Sequence, residues 1–353
     1  MLKENNPIIE NSESDLIWVD NAKIIAIFAV VALHIAAAVV SDITNLGRPE
    51  WWIGNVYDSL TRWCVPVFIM ISGALLLDTR KNESIPVFYR KRASGILLPT
   101  IFWSVFFLGW TFLKGLIKGK PYSFIFIVKQ LFAGRPYFHM WFLYMLIGLY
   151  LFTPFLRTAI KNMAKREQIV FVAMLFTVSI VNKVLNLFYP CSSKLFINWF
   201  LFYLPYFISG HLIREMRKNP NRILLILFFT LSMILTSLGL FFLSRAGGLG
   251  NGLYFYDYLS ITVVPMSLCM LLLLKTITKP IVINSSFTHK LAQLVLGVYL
   301  VHPVFIDIFK YFGVSGQAFN PLIAIPLISF LVFVFSLIIA KLISMLPYLN
   351  RII

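Results

Sequence analysis

Residues 17–40 of the chain read IWVDNAKIIAIFAVVALHIAAAVV, an apolar run that contains only three ionisable side chains. A helix of about 20 apolar residues crosses the hydrocarbon core of a bilayer, so this run predicts a transmembrane helix. The run is too long for the core of a signal peptide and lacks a small-residue cleavage pattern, so we expect the helix to be retained. The polar residues 1–15 are expected to form a cytoplasmic tail.

Composition extends this prediction to the whole chain. Of the 353 residues, 59% are hydrophobic and 13% are charged, whereas a soluble domain has about 45–50% apolar and about 25% charged residues. We therefore predict an all-α, polytopic membrane protein with about ten transmembrane helices. The predicted spans are Ile17–Val40, Val56–Leu77, Ser94–Ile117, His139–Leu156, Gln168–Phe188, Phe196–Ile213, Arg222–Ser244, Tyr256–Thr276, Leu291–Phe312 and Pro321–Leu346. A shorter amphipathic stretch, Tyr122–Ala133, is expected to lie in the interface or to re-enter the membrane.

The basic residues indicate the orientation of the helices. A net charge of +17 would suggest nucleic acid in a soluble protein, but Lys and Arg occur here in short clusters between the apolar runs. Cytoplasmic loops of membrane proteins carry such an excess. The richer side holds the loops around 80–92, 157–166, 214–222 and 275–290. Placing that side in the cytoplasm puts both termini there, which requires an even helix count. Membrane lipids, and not nucleic acid, are the expected surroundings.

Neither a metal site nor a permanently bound cofactor is predicted. Cys64, Cys191 and Cys269 are scattered, with no CxxC pair and no metal-ligand spacing,. The glycine-rich residues 247–252 resemble a phosphate-binding loop only in composition, because they follow a predicted transmembrane helix and not a strand.

Ionisable side chains inside a bilayer are costly, and each is a candidate functional residue. Lys23 and His34 are eleven residues apart, which places them about 20° apart around a helix and about 16.5 Å apart along it. Asp20 lies three residues before Lys23 and can pair with it. The pattern predicts a cation at the cytoplasmic interface and an imidazole near the midplane. The alternatives are a snorkelling lysine and a histidine that bonds a neighbouring helix.

Two further spans carry polar residues at depth. His302 lies at the predicted depth of His34, and Pro303 after it removes a backbone donor and is expected to kink the helix and widen a cavity. Two histidines at one depth favour a shared polar chamber. In the second span, Arg62 has Asp58 four residues earlier as a partner. Their pair either has a structural role or faces a substrate.

Several stretches of the chain resemble the membrane-bound acyltransferase-3 family. Lys23 with His34 is similar to the Arg/Lys-x₁₀-His signature in the first helix of that family. The matching stretches, in chain order, are Trp18–Lys23, Val31–His34, Arg62–Phe68, Ile71–Gly73, His139–Tyr144, Gly148–Tyr150, Pro154 and Gly297–Pro303. They are spread over nearly the whole chain and are nearest to the short, single-domain sugar O-acetyltransferases, such as the enzyme that acetylates enterobacterial common antigen. The resemblance therefore implies one acyltransferase-3-type domain over residues 1–353.

The resemblance implies transfer of an acyl group, usually acetyl, from cytoplasmic acyl-CoA to a hydroxyl of a cell-envelope glycan or its lipid-linked precursor. The site would then lie in a multi-pass protein of the bacterial inner membrane. His34 is expected to act as general base or to carry the acyl group transiently. Asp20 would position Lys23, and His302 would stabilise the oxyanion or orient the acceptor.

Basic residues supply candidates for substrate binding. The cluster Arg90, Lys91 and Arg92 is expected to hold the CoA phosphates, with Lys23 guiding the donor. Taken alone, the cluster is typical of a cytoplasmic loop. The glycan contacts are expected from Arg62, paired with Asp58, and from His139, although a solvated interfacial histidine is the simpler interpretation at the outer end of the fourth span. The alternative function is an exporter of polysaccharide or a small anion, with the histidines and Arg62 along its path.

The predicted orientation has a direct test in a variant from which the three native cysteines are removed. We expect a membrane-impermeant thiol reagent added outside intact cells to label Lys194→Cys and to leave Lys218→Cys unlabelled, because the second residue lies in a predicted cytoplasmic loop. Permeabilised cells should label both variants. Labelling of Lys218→Cys alone in intact cells would reverse the orientation.

Overall fold

The structure of the chain is a computed structural model that describes residues 10–80, 83–119, 122–188 and 198–353. Within these ranges every regular element is helical, as predicted, and no β-strand occurs. The α-helices are α1 (Glu10–Val40), α2 (Pro49–Thr61), α3 (Cys64–Leu76), α4 (Ile85–Arg92), α5 (Leu98–Ile117), α6 (Phe124–Phe132), α7 (Trp141–Asn162), α8 (Lys165–Phe188), α9 (Trp199–Glu215), α10 (Arg222–Gly247), α11 (Leu249–Gly252), α12 (Val263–Lys275), α13 (Ser285–Gln293), α14 (Val295–Tyr311) and α15 (Pro321–Met345).

The helices that could cross a membrane agree with most of the predicted spans. In the part of the chain that the structure describes, 7 helices are long and apolar enough, or up to 8 if the bent pair α13–α14 is one span. They are Ile17–Val40, Pro49–Leu76, Ile85–Ile117, Trp141–Asn162, Lys165–Phe188, Arg222–Gly247 and Pro321–Met345. The predicted sixth and eighth spans correspond to α9, with 17 residues, and α12, with 13 residues. The count of ten and the side of the termini stay predictions.

Some predicted segments lie wholly or partly outside the residues that the structure describes. Residues 1–9 of the predicted tail, Cys191 and the predicted start of the sixth span at Phe196 lie outside the described residues. Residues 10–15 of that tail belong to the first turns of α1. The amphipathic stretch contains α6, a helix of 9 residues that is too short to span a bilayer,.

The chain divides into two units, which are described separately. The first unit comprises residues 1–71 and 213–341, and the second comprises residues 72–212 and 342–353. In the first unit, α1 contacts α2, α12, α13 and α14. Of the membrane-length window of α1, 67% is buried, against 33% for α10. The polar side chains of α1 are therefore surrounded mainly by protein, where partners can compensate the cost of removing them from water.

A tight apolar contact fixes α1 against α15. Its α1 side is a ridge of residues spaced about one turn apart, which packs against small and branched residues of α15. The buried members are Val31, Ile35, Ala36, Val39, Ala324, Ile325, Ile328 and Val332. This contact leaves the polar positions of α1 to face α13 and α14.

The bend in the ninth predicted span lies elsewhere than expected. α14 continues as one helix through Pro303, whereas α13 and α14 meet at an angle of 55° around Leu294. At the break the backbone N–H of Leu294 donates to the carbonyl oxygen of Leu291 and ends α13, and no proline marks this position in the sequence. It turns α13 so that His289 reaches Asp20 of α1.

In the second unit, side-chain donors bond to backbone carbonyl oxygens. These bonds satisfy both the donor and a carbonyl that has no water to bind in an apolar environment. The pairs are Tyr89 with Leu151 at 2.7 Å, Trp103 with Ile352 at 2.8 Å, and Arg157 with Leu76 at 2.8 Å.

Gly73 lies where another backbone segment of the second unit approaches closely. A Cβ atom added there would lie 1.7 Å from the carbonyl oxygen of Phe207, which is backbone and cannot rotate away. We expect Gly73→Ala to lower the free energy of unfolding by about 3 kcal/mol, the upper part of the usual range for overpacked sites. The control is Gly109→Ala, where a Cβ meets nothing within 4 Å. Thermal unfolding in detergent should separate the two variants; equal Tm values would contradict the close approach.

Candidate active site

A stacked pair of histidines lies inside the first unit. The imidazole rings of His34 and His302 have centroids 5.4 Å apart and planes at 19°. His302 is fully buried and His34 is partly exposed. The ring of Tyr299, one turn earlier on α14, lies 5.9 Å from His302. The two histidines, which the sequence placed at one depth, are in contact, and the contact joins the C-terminal third of α1 to the middle of α14. The shared polar chamber stays a prediction.

The hydrogen bonding of His302 identifies its tautomer. Its Nδ1 atom lies 3.2 Å from the carbonyl oxygen of Val298. A carbonyl oxygen only accepts, so Nδ1 carries the proton and donates it. In the neutral ring Nε2 then acts as an acceptor. An acceptor can orient a hydroxyl but cannot donate to an oxyanion, which favours the second of the two roles expected for His302.

A buried cation lies near this pair. Arg62 forms the predicted ion pair with Asp58, at an N···O distance of 2.5 Å, and the Asp58 side chain is fully buried. The guanidinium carbon lies 3.8 Å from the ring centroid of Tyr256, and Nη1 donates to the Tyr256 carbonyl oxygen. Arg62 is also close enough to His34 to interact with it electrostatically. The ion pair and the ring thus hold the positive charge of Arg62 within electrostatic range of His34.

Tyrosines near Arg62 were missed by the sequence analysis. Tyr256 also donates through its hydroxyl to the Asn55 side-chain oxygen, 2.8 Å away. Tyr258 belongs to the same buried group of side chains as Arg62 and Cys64. The only sequence signal was the aromatic run at 254–258, which is also typical of a membrane interface.

A second polar cluster lies in the N-terminal half of α1. Lys23 Nζ lies 3.1 Å from Asp20 Oδ1, which confirms the predicted pairing. The other carboxylate oxygen lies 2.8 Å from His289 Nδ1, a contact that the sequence did not predict. The neighbouring Asn21 donates to the carbonyl oxygens of Ile277 and Lys279 and accepts from the backbone N–H of Ile281. The segment before α13 is therefore tied to α1.

The basic cluster of α4 lies in the second unit. Arg90 is exposed, and Lys91 pairs with Glu83 at 2.7 Å. The hydrogen bond from Lys91 lowers the pKa of the Glu83 carboxyl. Arg92 is half-buried, with its guanidinium carbon 5.4 Å from the ring centroid of Phe88. Arg157 of α7 lies 5.5 Å from the same centroid, a neighbour that its position in the chain does not reveal.

His139 is not the solvated residue that its place at a helix end suggested. It is buried, and the rings of Phe107, Phe138 and Tyr137 lie 4.9, 5.4 and 5.9 Å from its imidazole. The reason is that α5 and the residues just before α7 cover it with aromatic side chains. Its role toward a glycan stays a prediction.

Membrane-length helices with a histidine pair and an ion pair buried among them define a multi-pass membrane protein with an internal polar site. Comparison with protein-family models matches an acyltransferase domain, that of the acyltransferase-3 family, over residues 16–341. The chain belongs to this family and is an acyltransferase. Neither the curated proteins nor the solved structures contain a match to it. The family match favours the enzyme over the exporter.

Removing one partner of a buried ion pair leaves an uncompensated charge, which costs about 3–5 kcal/mol. We expect Asp58→Leu to destabilise the protein by that amount. The double variant Asp58→Leu/Arg62→Met should recover most of the stability, because apolar residues can replace a buried pair. Thermal unfolding measures both. Recovered stability without acyltransferase activity would assign a functional role to Arg62, whereas recovered activity would make the pair purely structural.

Proposed function

We propose that the protein transfers an acetyl group from cytoplasmic acetyl-CoA to a hydroxyl of a cell-envelope glycan, or of its lipid-linked precursor, in the bacterial inner membrane. The observation that carries the proposal is the contact between His34 and His302 beside Arg62. The resemblance of the Lys23–His34 spacing, and of the stretches around Arg62 and His302, to sugar O-acetyltransferases supports the choice of donor and acceptor.

The histidine pair supports base catalysis on the acceptor. In this mechanism His34 takes the proton of the acceptor hydroxyl while the hydroxyl oxygen attacks the thioester carbonyl carbon. His302 Nε2 is an acceptor, so it orients the acceptor molecule by accepting a hydrogen bond from a second hydroxyl of the sugar. Collapse of the tetrahedral intermediate breaks the carbon–sulfur bond, and the proton held by His34 goes to the departing CoA sulfur. The products are the acetyl ester and free CoA.

Arg62 supports stabilisation of the developing negative charge. The carbonyl oxygen of the thioester becomes an oxyanion when the hydroxyl adds to it, and a fixed cation in a dry site stabilises it strongly. Asp58 and the Tyr256 ring hold the guanidinium in place before the reaction, so little reorganisation is needed. We assign Arg62 to this role as well as to contact with the acceptor.

The candidates for binding the donor are basic residues, and each unit is considered by itself. CoA is polyanionic, and Arg or Lys binds its phosphates by charge-assisted hydrogen bonds. In the first unit, Lys23 is the candidate, with 27% of its side chain exposed. In the second unit the candidates are Arg90, Lys91 and Arg92. Glu83 neutralises part of the charge of this cluster through Lys91.

The first test is acceptor-dependent CoA release from acetyl-CoA by the purified protein in liposomes, with envelope lipids and glycans as acceptors. We expect His34→Gln to lower the rate by about 10²–10⁴-fold, because glutamine is polar and of similar length but cannot accept the proton. The matched control is His211→Gln, which replaces a buried helical histidine of the second unit.

Three results would each contradict a different part of this proposal. No release from wild type with any donor or acceptor extract would reject the substrates proposed here. Release at the wild-type rate in His34→Gln would keep the substrates and remove His34 as the base. An acetylated His34 peptide trapped without acceptor would replace direct transfer by a covalent intermediate.

The charge of the α4 cluster gives a second prediction. Glu83→Gln removes the partner of Lys91, and we expect it to lower the KM for acetyl-CoA by about two- to fivefold, in keeping with the energy of an exposed ion pair. The effect should shrink as ionic strength rises. Glu215→Gln, an exposed acidic residue of the first unit, is the control for a general change of net charge. An equal KM change in both variants would remove the cluster from donor binding.

A further inference from the structure

The Asp20 carboxylate is shared by two partners. Its Oδ1 atom lies 3.1 Å from Lys23 Nζ, and its Oδ2 atom lies 2.8 Å from His289 Nδ1. The Asp20 side chain is 6% exposed, whereas those of Lys23 and His289 are 27% and 56% exposed. A buried carboxylate is thus held on one side by a histidine, and on the other it holds a lysine that reaches solvent.

A second hydrogen bond identifies the tautomer of His289. Its Nε2 atom lies 3.0 Å from the side-chain amide nitrogen of Gln293, one turn later on α13. An amide nitrogen only donates, so His289 Nε2 accepts and Nδ1 carries the proton. His289 therefore donates a hydrogen bond from Nδ1 to Oδ2 of Asp20. The negative charge of Asp20 is paired with the ammonium of Lys23.

The surrounding structure fixes His289 before any ligand binds. The Asn284 side chain caps α13 by accepting from the backbone N–H of Phe287, at 2.8 Å. Asn21, next to Asp20, binds the segment before α13 through three hydrogen bonds. Two adjacent residues of α1 thus fix α13. Asn21 binds the segment before it, and Asp20 binds His289 within it. A donor placed so firmly restricts the rotation of the carboxylate that it contacts.

We propose that His289 is a positioning residue for donor binding. By donating to Oδ2 of Asp20 it orients the carboxylate so that Oδ1 holds Lys23, and this sets where the ammonium meets a phosphate of the acyl-CoA. The inference rests on the proposed function, in which Lys23 binds the donor. His34 lies about 16.5 Å further along the same helix, so the change should affect binding of the donor and not the chemical step.

The test compares three replacements of His289 by the KM for acetyl-CoA and by kcat. His289→Ala should raise KM about five- to tenfold while kcat stays within about twofold, since a lost binding contact acts on KM alone. His289→Asn places an amide nitrogen near the position of Nδ1 and should restore KM to within about twofold. His289→Gln places it near the position of Nε2 and should not. If His289 had only a structural role, His289→Asn and His289→Gln would have the same KM.

A double-mutant cycle with Lys23→Ala separates this inference from the proposed function. We expect Lys23→Ala to raise KM, and His289→Ala to add nothing in that background. Additive effects, or a His289→Ala variant with unchanged KM, would overturn the positioning role while Lys23 keeps its place in donor binding. Unchanged KM in Lys23→Ala would remove both assignments. CoA binding to the folded variants by calorimetry checks that KM reports affinity.

Discussion

Hydrocarbon offers no hydrogen-bond partner to a buried charge, and this constraint organises the first unit. α1 carries Asp20, Asn21, Lys23 and His34 into an apolar environment, and it is also a largely buried helix. Asp20 contacts a lysine and a histidine, and Asn21 forms hydrogen bonds with three backbone groups. The His34 ring contacts another imidazole. Each partner lies either in the next turn of α1 or in another part of the first unit. The polar groups therefore specify how the apolar helices are arranged.

The same constraint makes the site suitable for chemistry. Arg62 stays charged because Asp58 and the Tyr256 ring compensate its removal from water, and the compensation also fixes its position. A fixed cation next to a histidine pair is an environment in which negative charge on a thioester oxygen would be stabilised without reorganisation of solvent. Stability and the proposed catalysis therefore depend on the same contacts. The effect of a substitution on activity can be interpreted only when its effect on the free energy of unfolding is measured as well.

Local pairs could be predicted from the sequence, because helix geometry brings residues three or four apart together. Asp20 with Lys23 and Asp58 with Arg62 are of this kind. His34 with His302 was predicted from depth in the membrane alone, which is a weaker signal. The contact of Asp20 with His289 joins residues 269 apart and depends on the bend at Leu294, which has no proline or glycine to mark it. The interpretation of His139 as a solvated residue was wrong because its neighbours in the chain do not reveal the ring of Phe107 that covers it. Arg157 meets the ring of Phe88 beside Arg92 for the same reason.

The most direct measurement is an experimental structure with a non-hydrolysable acetyl-CoA analogue bound. If His34 is the base of an acyl transfer, the carbonyl carbon of the analogue should lie so that an acceptor hydroxyl oxygen fits between it and the His34 ring, at about 3–3.5 Å from the carbon. The carbonyl oxygen should then face Arg62. An analogue whose carbonyl lies at another polar group of the protein, with His34 and His302 still stacked and unoccupied by substrate, would contradict the assignment of this histidine pair as the catalytic centre.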